Sequence, residues 1–351
     1  MRIALLVPGP FDAVSGGYGY DRRLVAGLRA LGHDAEVVEL AGRHPLADDA
    51  ALASARSALD ALPPDAVPVV DGLGLPAFAP LADALAERGA VALIHHPTAL
   101  ETGFSEADRD ALRATERDLF GRVARIVATS PLTARRLVEE FGADAARVGV
   151  VEPGTDPAAR AAGSGGPGVS LLSVGALVPR KGHDILLRAL GGLADLDWRL
   201  VIAGSEERDR VHARGLRALA EELGIARRVA FAGEVDAAAL EALYAGADVF
   251  ALATNWEGYG MAVAEALARG LPVAVTAGGA VAELVPTEAA VVSPPGDFVS
   301  LGKGLRRLIF DADLRRGMAD AAWRAGQRLP RWDDRAAAFL SEIGKARGTG
   351  S

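Results

Sequence analysis

The chain has 351 residues, half of them apolar, so two domains of ordinary size, each with its own core, are expected. It has no cysteine, which excludes disulfides, thiolate metal sites and a cysteine nucleophile, and fits a reducing cytoplasm. The formal charge of −8 resides in residues 1–156, with 15 Arg, no Lys and 23 acidic residues; nucleic acid and anionic lipid are therefore poor partners for that half, whose acidic excess reads as solubilising surface.

Residues 3–7 read as a buried first strand. The apolar start is too short for a signal-peptide h-region and is ended by Pro8. A helix over 21–31 follows, with Leu24, Leu28 and Leu31 at helical spacing and Gly32 at its end. Strands are expected at 35–40, 67–70 and 91–94, with a helix at 79–88. Ser105-Glu106-Ala107-Asp108 resembles a capping box opening a helix to about Arg122. A strand at 126–129, a helix at 131–141 capped by Ser130, and a strand at 148–151 complete this half.

The segment Arg160-Ala161-Ala162-Gly163-Ser164-Gly165-Gly166-Pro167-Gly168 reads as a linker. The alternation then restarts. Strands are expected at 170–174, 199–203, 229–231, 247–252, 272–276 and 290–292, and helices at 182–192, 208–223, 236–246 and 261–269. A last amphipathic helix at 333–343 carries Ala336, Phe339, Leu340 and Ile343 on one side. Alternating strands and helices imply α/β architecture: two doubly wound parallel sheets with the ligand cleft between them, beyond the strand C-terminal ends. The expected division is 1–156, a linker at 157–168, 169–322, and a C-terminal piece 323–351 that could return to the first domain. No run approaches the ~18 apolar residues of a membrane span.

The most informative stretch is Asn255-Trp256-Glu257-Gly258-Tyr259-Gly260-Met261-Ala262-Val263-Ala264-Glu265-Ala266. A buried strand feeds a turn, in which Gly258 and Gly260 tolerate positive φ, and a helix follows. The unpaired amides and positive dipole of a helix start attract anions. Glu257 would stand at the mouth of that cradle and Glu265 two turns into the helix. A carboxylate accepts bonds from hydroxyls, not from phosphate, so the ligand should carry both, as a nucleotide sugar does.

Glu257-Gly258-Tyr259-Gly260 with Glu265-Ala266 resembles the Glu-x7-Glu motif of the retaining glycosyltransferases of family four, which have the GT-B fold of two Rossmann-like domains. Other pieces are similar in order and spacing: Gly16-Gly17 with Leu28-Arg29-Ala30-Leu31-Gly32-His33, Val174-Gly175-Ala176 through Lys181-Gly182, the strand ending in Gly204, the segment ending in Glu234-Val235, Tyr244 to Val249, and Val292 to Asp297. The resemblance implies that Glu265 binds the donor ribose and Glu257 faces the donor sugar. The amides of Gly258, Tyr259, Gly260, Met261 and Ala262 would hold sugar and phosphate, and Gly16, Gly17, Gly175, Gly204 and Val235 would complete the donor site. It further implies retention of anomeric configuration and no metal. A nucleotide-diphosphate sugar would be co-substrate, with no other cofactor, and the acceptor would be a small molecule or glycan.

Arg180-Lys181 suits a departing diphosphate, since fixed cations favour the transition state in which its charge grows. The family usually places Arg where this chain has Ala176, so either Arg180 supplies that charge from a neighbouring position or donor affinity is lower. Gly16-Gly17 lies nine residues beyond Val7, too far for a dinucleotide fingerprint; a flexible loop closing over the diphosphate fits better. His95, directly after a strand, takes the place of the family's donor-sugar histidine. His96 would point to the opposite side, so the two would not share a metal. Asp195-x-Asp197 and Asp311-x-Asp313 read as turns, and the row Arg109, Arg113, Arg117, diluted by Asp108, Asp110, Glu116 and Asp118, as a solvated face over a peripheral membrane contact. The expected protein is a cytoplasmic retaining hexosyltransferase acting on a soluble polar acceptor, with catalytic residues His95, Arg180, Lys181 and Glu257, and with domain closure excluding water. The rivals are a nucleotide-sugar epimerase or hydrolase of the same fold, and a non-catalytic nucleotide-sugar-binding protein.

Overall fold

The computed structural model describes residues 1–101 and 103–348. It forms two compact units, one made of residues 1–154 with the chain from Pro330 onward, the other of Thr155–Leu329.

The first unit holds a six-stranded parallel sheet of β1 (Arg2–Pro8), β2 (Asp34–Leu40), β3 (Ala66–Asp71), β4 (Val91–Ile94), β5 (Arg125–Ala128) and β6 (Val148–Val150), in the order β2-β1-β3-β4-β5-β6. Leu5 lies between Val37 and Val69 in register. The inner strands are apolar on both faces because helices cover both, so no alternation shows in their sequence. The sheet changes direction of growth between β1 and β3, so the C-terminal ends of these two strands flank an open crevice.

The first helix spans Gly16–Ala30, not 21–31. Ser15 sets its start, its side chain accepting from the Tyr18 amide at 3.2 Å. Gly16 and Gly17 are therefore its first turn rather than a mobile loop. The final helix, Trp332–Ala346, packs on Gly16–Ala30 and on β5, with Ala336, Phe339 and Ile343 buried. A Cβ on Gly27 would stand 2.8 Å from Ala336 Cβ, so the glycine permits this approach. Burying Phe339 and Ile343 contributes about 1.5–3 kcal/mol each.

The second unit holds β7 (Val169–Val174), β8 (Trp198–Ala203), β9 (Val229–Gly233), β10 (Val249–Leu252), β11 (Val273–Thr276) and β12 (Ala290–Ser293), ordered β12-β11-β10-β7-β8-β9 and parallel throughout. This is the Rossmann order, with its switch point between β7 and β10. Leu171, Val249 and Ala251 enter one core, and their neighbours Leu172, Phe250 and Leu252 enter the other, as the twofold strand period requires. Helices Phe298–Phe310 and Ala312–Gly326 were not anticipated; Asp297 and Asp311 cap them.

The glycine-rich stretch expected as a linker runs along the second unit. Ala161 N donates to Arg269 O at 2.9 Å, and Ala162 N and Gly163 N donate to Ala245 O at 3.0 Å. Ser164 Oγ donates to Asp248 Oδ2 at 2.6 Å. A Cβ on Gly163 would lie 2.6 Å from Asp248 Oδ1, which explains one of its glycines. Among the described residues, no helix is long and apolar enough to cross a membrane.

Candidate active site at the β7/β10 switch point

Two loops meet where β7 and β10 end. After β7, Gly175 leads through Ala176–Val178 to a single 3-10 turn, Pro179–Lys181, and Gly182 then opens the helix His183–Gly191. Gly182 has φ 63°, and a Cβ there would lie 2.0 Å from the Ala253 carbonyl, so glycine is required for this loop to press against the end of β10. After β10 comes Ala253–Gly260. Asn255 N donates to Arg180 O at 2.8 Å, and Asn255 Nδ2 donates to Pro179 O at 3.1 Å. Glu257 N donates to Gly278 O at 3.1 Å, and Ala280 N donates to Glu257 O at 2.9 Å. The loop is thereby stitched on both sides.

These bonds bring together residues far apart in sequence. Lys181 Nζ donates to Glu257 Oε1 at 2.5 Å. Arg180 Nη1 donates to Trp256 O at 2.6 Å and stands 3.4 Å from the same carboxylate oxygen. The Thr254 hydroxyl reaches it at 3.2 Å. Burial alone would raise the pKa of Glu257, whose residue is 8% exposed. Lys181, Arg180 and Thr254 outweigh that and hold its carboxyl below the ordinary range. Glu257 Oε2 accepts no bond among the described residues.

Gly260, at φ 105°, is the N-cap of the helix Met261–Ala268. The amides of Gly260, Met261 and Ala262 find no acceptor among the described residues, which leaves three donors at a helix start. Glu265 lies a little over one turn into this helix, not two. Tyr244 Oη donates to Glu265 Oε2 at 3.0 Å and lies 3.1 Å from Ala262 O. Burial raises the Glu265 pKa, and the Tyr244 bond and Arg269 oppose the rise. Glu265 Oε1 has no partner among the described residues.

Gly175 and Gly204 also meet here. Gly175 N donates to Ala203 O at 2.9 Å, and a Cβ on Gly204 would lie 2.0 Å from Gly175 O. A Cβ on Gly175 would stand 3.0 Å from Lys181 Cε, so this glycine makes room for the lysine stem. Val235 is half-buried in the turn before helix Ala237–Ala245, and no hydrogen bond joins it to the cluster among the described residues. Tyr244 and Thr254 are the members that sequence reasoning missed: one reads as a core aromatic, the other as an ordinary strand-end threonine.

Gly17 and His95 meet in the first unit, where a Cβ on Gly17 would touch His95 Cδ2 at 3.4 Å; Gly16 is the first residue of the same helix. His95 Nε2 lies 2.9 Å from Asp21 Oδ1 and 3.6 Å from Asp71 Oδ2, whereas His96 turns toward Glu101. Among the described residues, only Asp21, Asp71 and His95 gather three ligand-type atoms, within 4.8 Å of one another. Nε2 is at hydrogen-bond distance from Asp21 and in ion-pair range of Asp71, so the group reads as a hydrogen-bonded His–Asp pair with a second carboxylate beside it. Glu116 is fully buried rather than on a solvated face. It accepts from Thr98 N at 2.6 Å, Thr98 Oγ1 at 2.8 Å and Ala99 N at 3.1 Å, fixing the chain just after His95-His96-Pro97. Arg113 stacks on Phe141 at 5.1 Å. Asp195 is paired with Arg306 by two bonds of 2.8 Å, a structural role.

Residues 161–324 match the family described as glycosyl transferases group 1, and residues 20–159 match Glycosyltransferase Family 4. A D-inositol 3-phosphate glycosyltransferase of Thermomonospora curvata is 32% identical over 278 residues, covering 70% of this chain and 64% of that protein. The sucrose-phosphate synthase of Thermosynechococcus elongatus superposes with a TM-score of 0.83 at 18% identity over 100% of both chains. Anabaena HepE in complex with UDP-glucose superposes with a TM-score of 0.74 at 17% identity, covering 97% of this chain and 100% of that one. The two parallel sheets and these superpositions define a GT-B fold. The two matched segments follow one another along most of the length, and both of the families they match are glycosyltransferases. It spans less than two thirds of the length of the curated relatives it matches.

Proposed function

We propose that the protein is a retaining, metal-independent hexosyltransferase of the cytoplasm. It would move a sugar from a nucleotide-diphosphate sugar to a soluble polar acceptor. The observation that carries this reading is the convergence of Arg180, Lys181, Glu257 and the open amides of Gly260 to Ala262 at the β7/β10 switch point. Two fixed cations and three unpaired amides suit a diphosphate and do the charge-neutralising work a divalent ion does elsewhere. The free oxygens Glu257 Oε2 and Glu265 Oε1 suit hydroxyls of the sugar and the ribose. The glucose-bearing nucleotide held by HepE and the inositol phosphate in the relatives' name agree with such a donor and with a polar acceptor.

In this reading, the nucleotide diphosphate leaves toward Lys181 and Arg180, and the acceptor hydroxyl attacks the same face of the sugar. The departing phosphate oxygen takes its proton. Thermal-shift screening of UDP-, GDP- and ADP-hexoses, followed by product analysis with polyol phosphates and sugars in EDTA, tests the assignment. A stabilising donor and a product of unchanged anomeric configuration are expected. Release of free sugar alone, or dependence on added metal, would count against it.

Glu265→Ala removes the free acceptor oxygen and should weaken donor binding by about 1–3 kcal/mol. Isothermal titration reads this directly, and an unchanged dissociation constant would remove Glu265 from the ribose site. Because its pKa is raised, wild-type donor affinity should fall with acidification at a higher pH than an ordinary glutamate would give.

A further inference from the structure

The first unit carries a second polar cluster at its own switch point. Asp71 is the last residue of β3, His95 directly follows β4, and Asp21 stands in the helix that follows β1. Both carboxylates are buried, at 0% exposure for Asp21 and 3% for Asp71. Asp71 Oδ1 accepts from Leu73 N at 2.9 Å, which leaves Oδ2 on the histidine side, and Asp21 Oδ2 is buried with no partner among the described residues. The Tyr20 ring meets the imidazole edge-on at 5.2 Å, with its hydroxyl committed to Val151 O. Among the described residues, no Arg or Lys reaches either carboxylate, so the imidazole is their one cationic partner. Among the described residues His95 Nδ1 makes no hydrogen bond, and the side chain is 23% exposed.

We infer that Asp21 and Asp71 are positioning residues that hold His95 at Nε2 and leave Nδ1–H outward as a fixed hydrogen-bond donor for a neutral hydroxyl of the acceptor. This rests on the glycosyl-transfer reading. Two features of the clamp define what it selects. With both carboxylates on the Nε2 side, the charged imidazole, which carries a proton on each nitrogen, is favoured, and in that form Nδ1 donates rather than acting as the base for the acceptor hydroxyl. The acidic pair beneath it also opposes an anion, so Nδ1–H suits a hydroxyl and not a phosphate. Burial works against the charged His95, but Asp21 and Asp71 outweigh it and raise its pKa; burial, with the Asp21 charge, lifts Asp71 to about 7.

The test uses full-length protein with histidines labelled at Cε1, His95 being assigned by the resonance lost in His95→Gln. In the wild type, His95 should titrate above an ordinary histidine, and Asp21→Asn and Asp71→Asn should each lower its midpoint by about 1–2 units. The alkaline limb of kcat/KM should move down with it, because the donor proton is lost as pH rises through the midpoint. The two variants are independent, so one that fails to fold leaves the other to decide. A wild-type midpoint at or below the ordinary value, midpoints unmoved in folded variants, or a shift of the acid limb instead would overturn the clamp. So would displacement of the His95 resonance by zinc or manganese at micromolar concentration. If His95 titrates as described but no nucleotide sugar is turned over, the transfer reading fails alone; if transfer occurs with an unmoved alkaline limb, the clamp fails alone.

Discussion

Lys181→Ala is expected to lower turnover by about 10²–10³-fold, the cost of removing one preorganised donor at a site of developing charge, while donor affinity changes far less. The reason lies in when its charge is needed. In the proposed reading a bound nucleotide sugar would carry two phosphate charges, which Arg180 and the amides of Gly260 to Ala262 would share. Bond cleavage adds charge to the outer phosphate, and a compact ammonium held at 2.5 Å from Glu257 cannot drift away from it. Single-turnover kinetics beside calorimetry separate the two quantities, and equal losses in both would contradict a leaving-group role. A pH signature accompanies the change. Lys181 is the largest influence holding the Glu257 carboxyl down against burial. If the Glu257 carboxylate accepts a sugar hydroxyl as proposed, activity should be lost as pH falls through its pKa. Without Lys181 that pKa rises, and the acid limb of the profile should move to higher pH. An unmoved limb would show that Glu257 plays no part in turnover.

The parts of this site differ in how legible they are in the chain. Glu257 and Glu265 are readable because strand, turn and helix follow within 20 residues, and local pattern fixes what surrounds each carboxylate. The Lys181–Glu257 pair joins residues 76 positions apart, and it exists because β7 and β10 are neighbours in the sheet. Only the crossover order reveals that. Gly16 and Gly17 misled the reading since glycine argues against helix, whereas the Ser15 cap decides the start. Asp21 and Asp71 gave no sign at all. An aspartate in a helix or at a strand end reads as solvated, and only the switch point between β1 and β3 buries both against His95. Tyr244 was hidden in the opposite way, since its ring belongs to the core and only its hydroxyl belongs to the site.

The largest expected effect on stability is at the final helix. Arg125 opens β5 and is 8% exposed; its Nε donates to Glu342 Oε2 at 2.7 Å, its Nη2 reaches the same oxygen, and its Nη1 donates to Ala146 O at 2.6 Å. Glu342, also 8% exposed, accepts from Lys345 at 2.7 Å through its other oxygen. Glu342→Ala leaves a buried guanidinium with one carbonyl, and the expected cost is about 3–5 kcal/mol. With two units, a single unfolding free energy is not well defined. The measurement is therefore hydrogen exchange of the amides in Trp332–Ala346, whose protection should fall by that amount while the helix Met261–Ala268 keeps its own. Loss of less than about 1 kcal/mol would place the pair among surface-like bridges instead. Replacing both partners, Arg125→Met with Glu342→Leu, should recover most of the loss, because the penalty comes from an unpaired buried charge and not from a missing attraction. The sign with pH follows from the same cause. Burial opposes ionisation of Glu342, but Lys345 and Arg125 prevail and depress its pKa. Its contribution is therefore present above the ordinary glutamate range and is lost as pH falls through the depressed value, so the final helix should loosen in acid in the wild type but not in the doubly apolar variant.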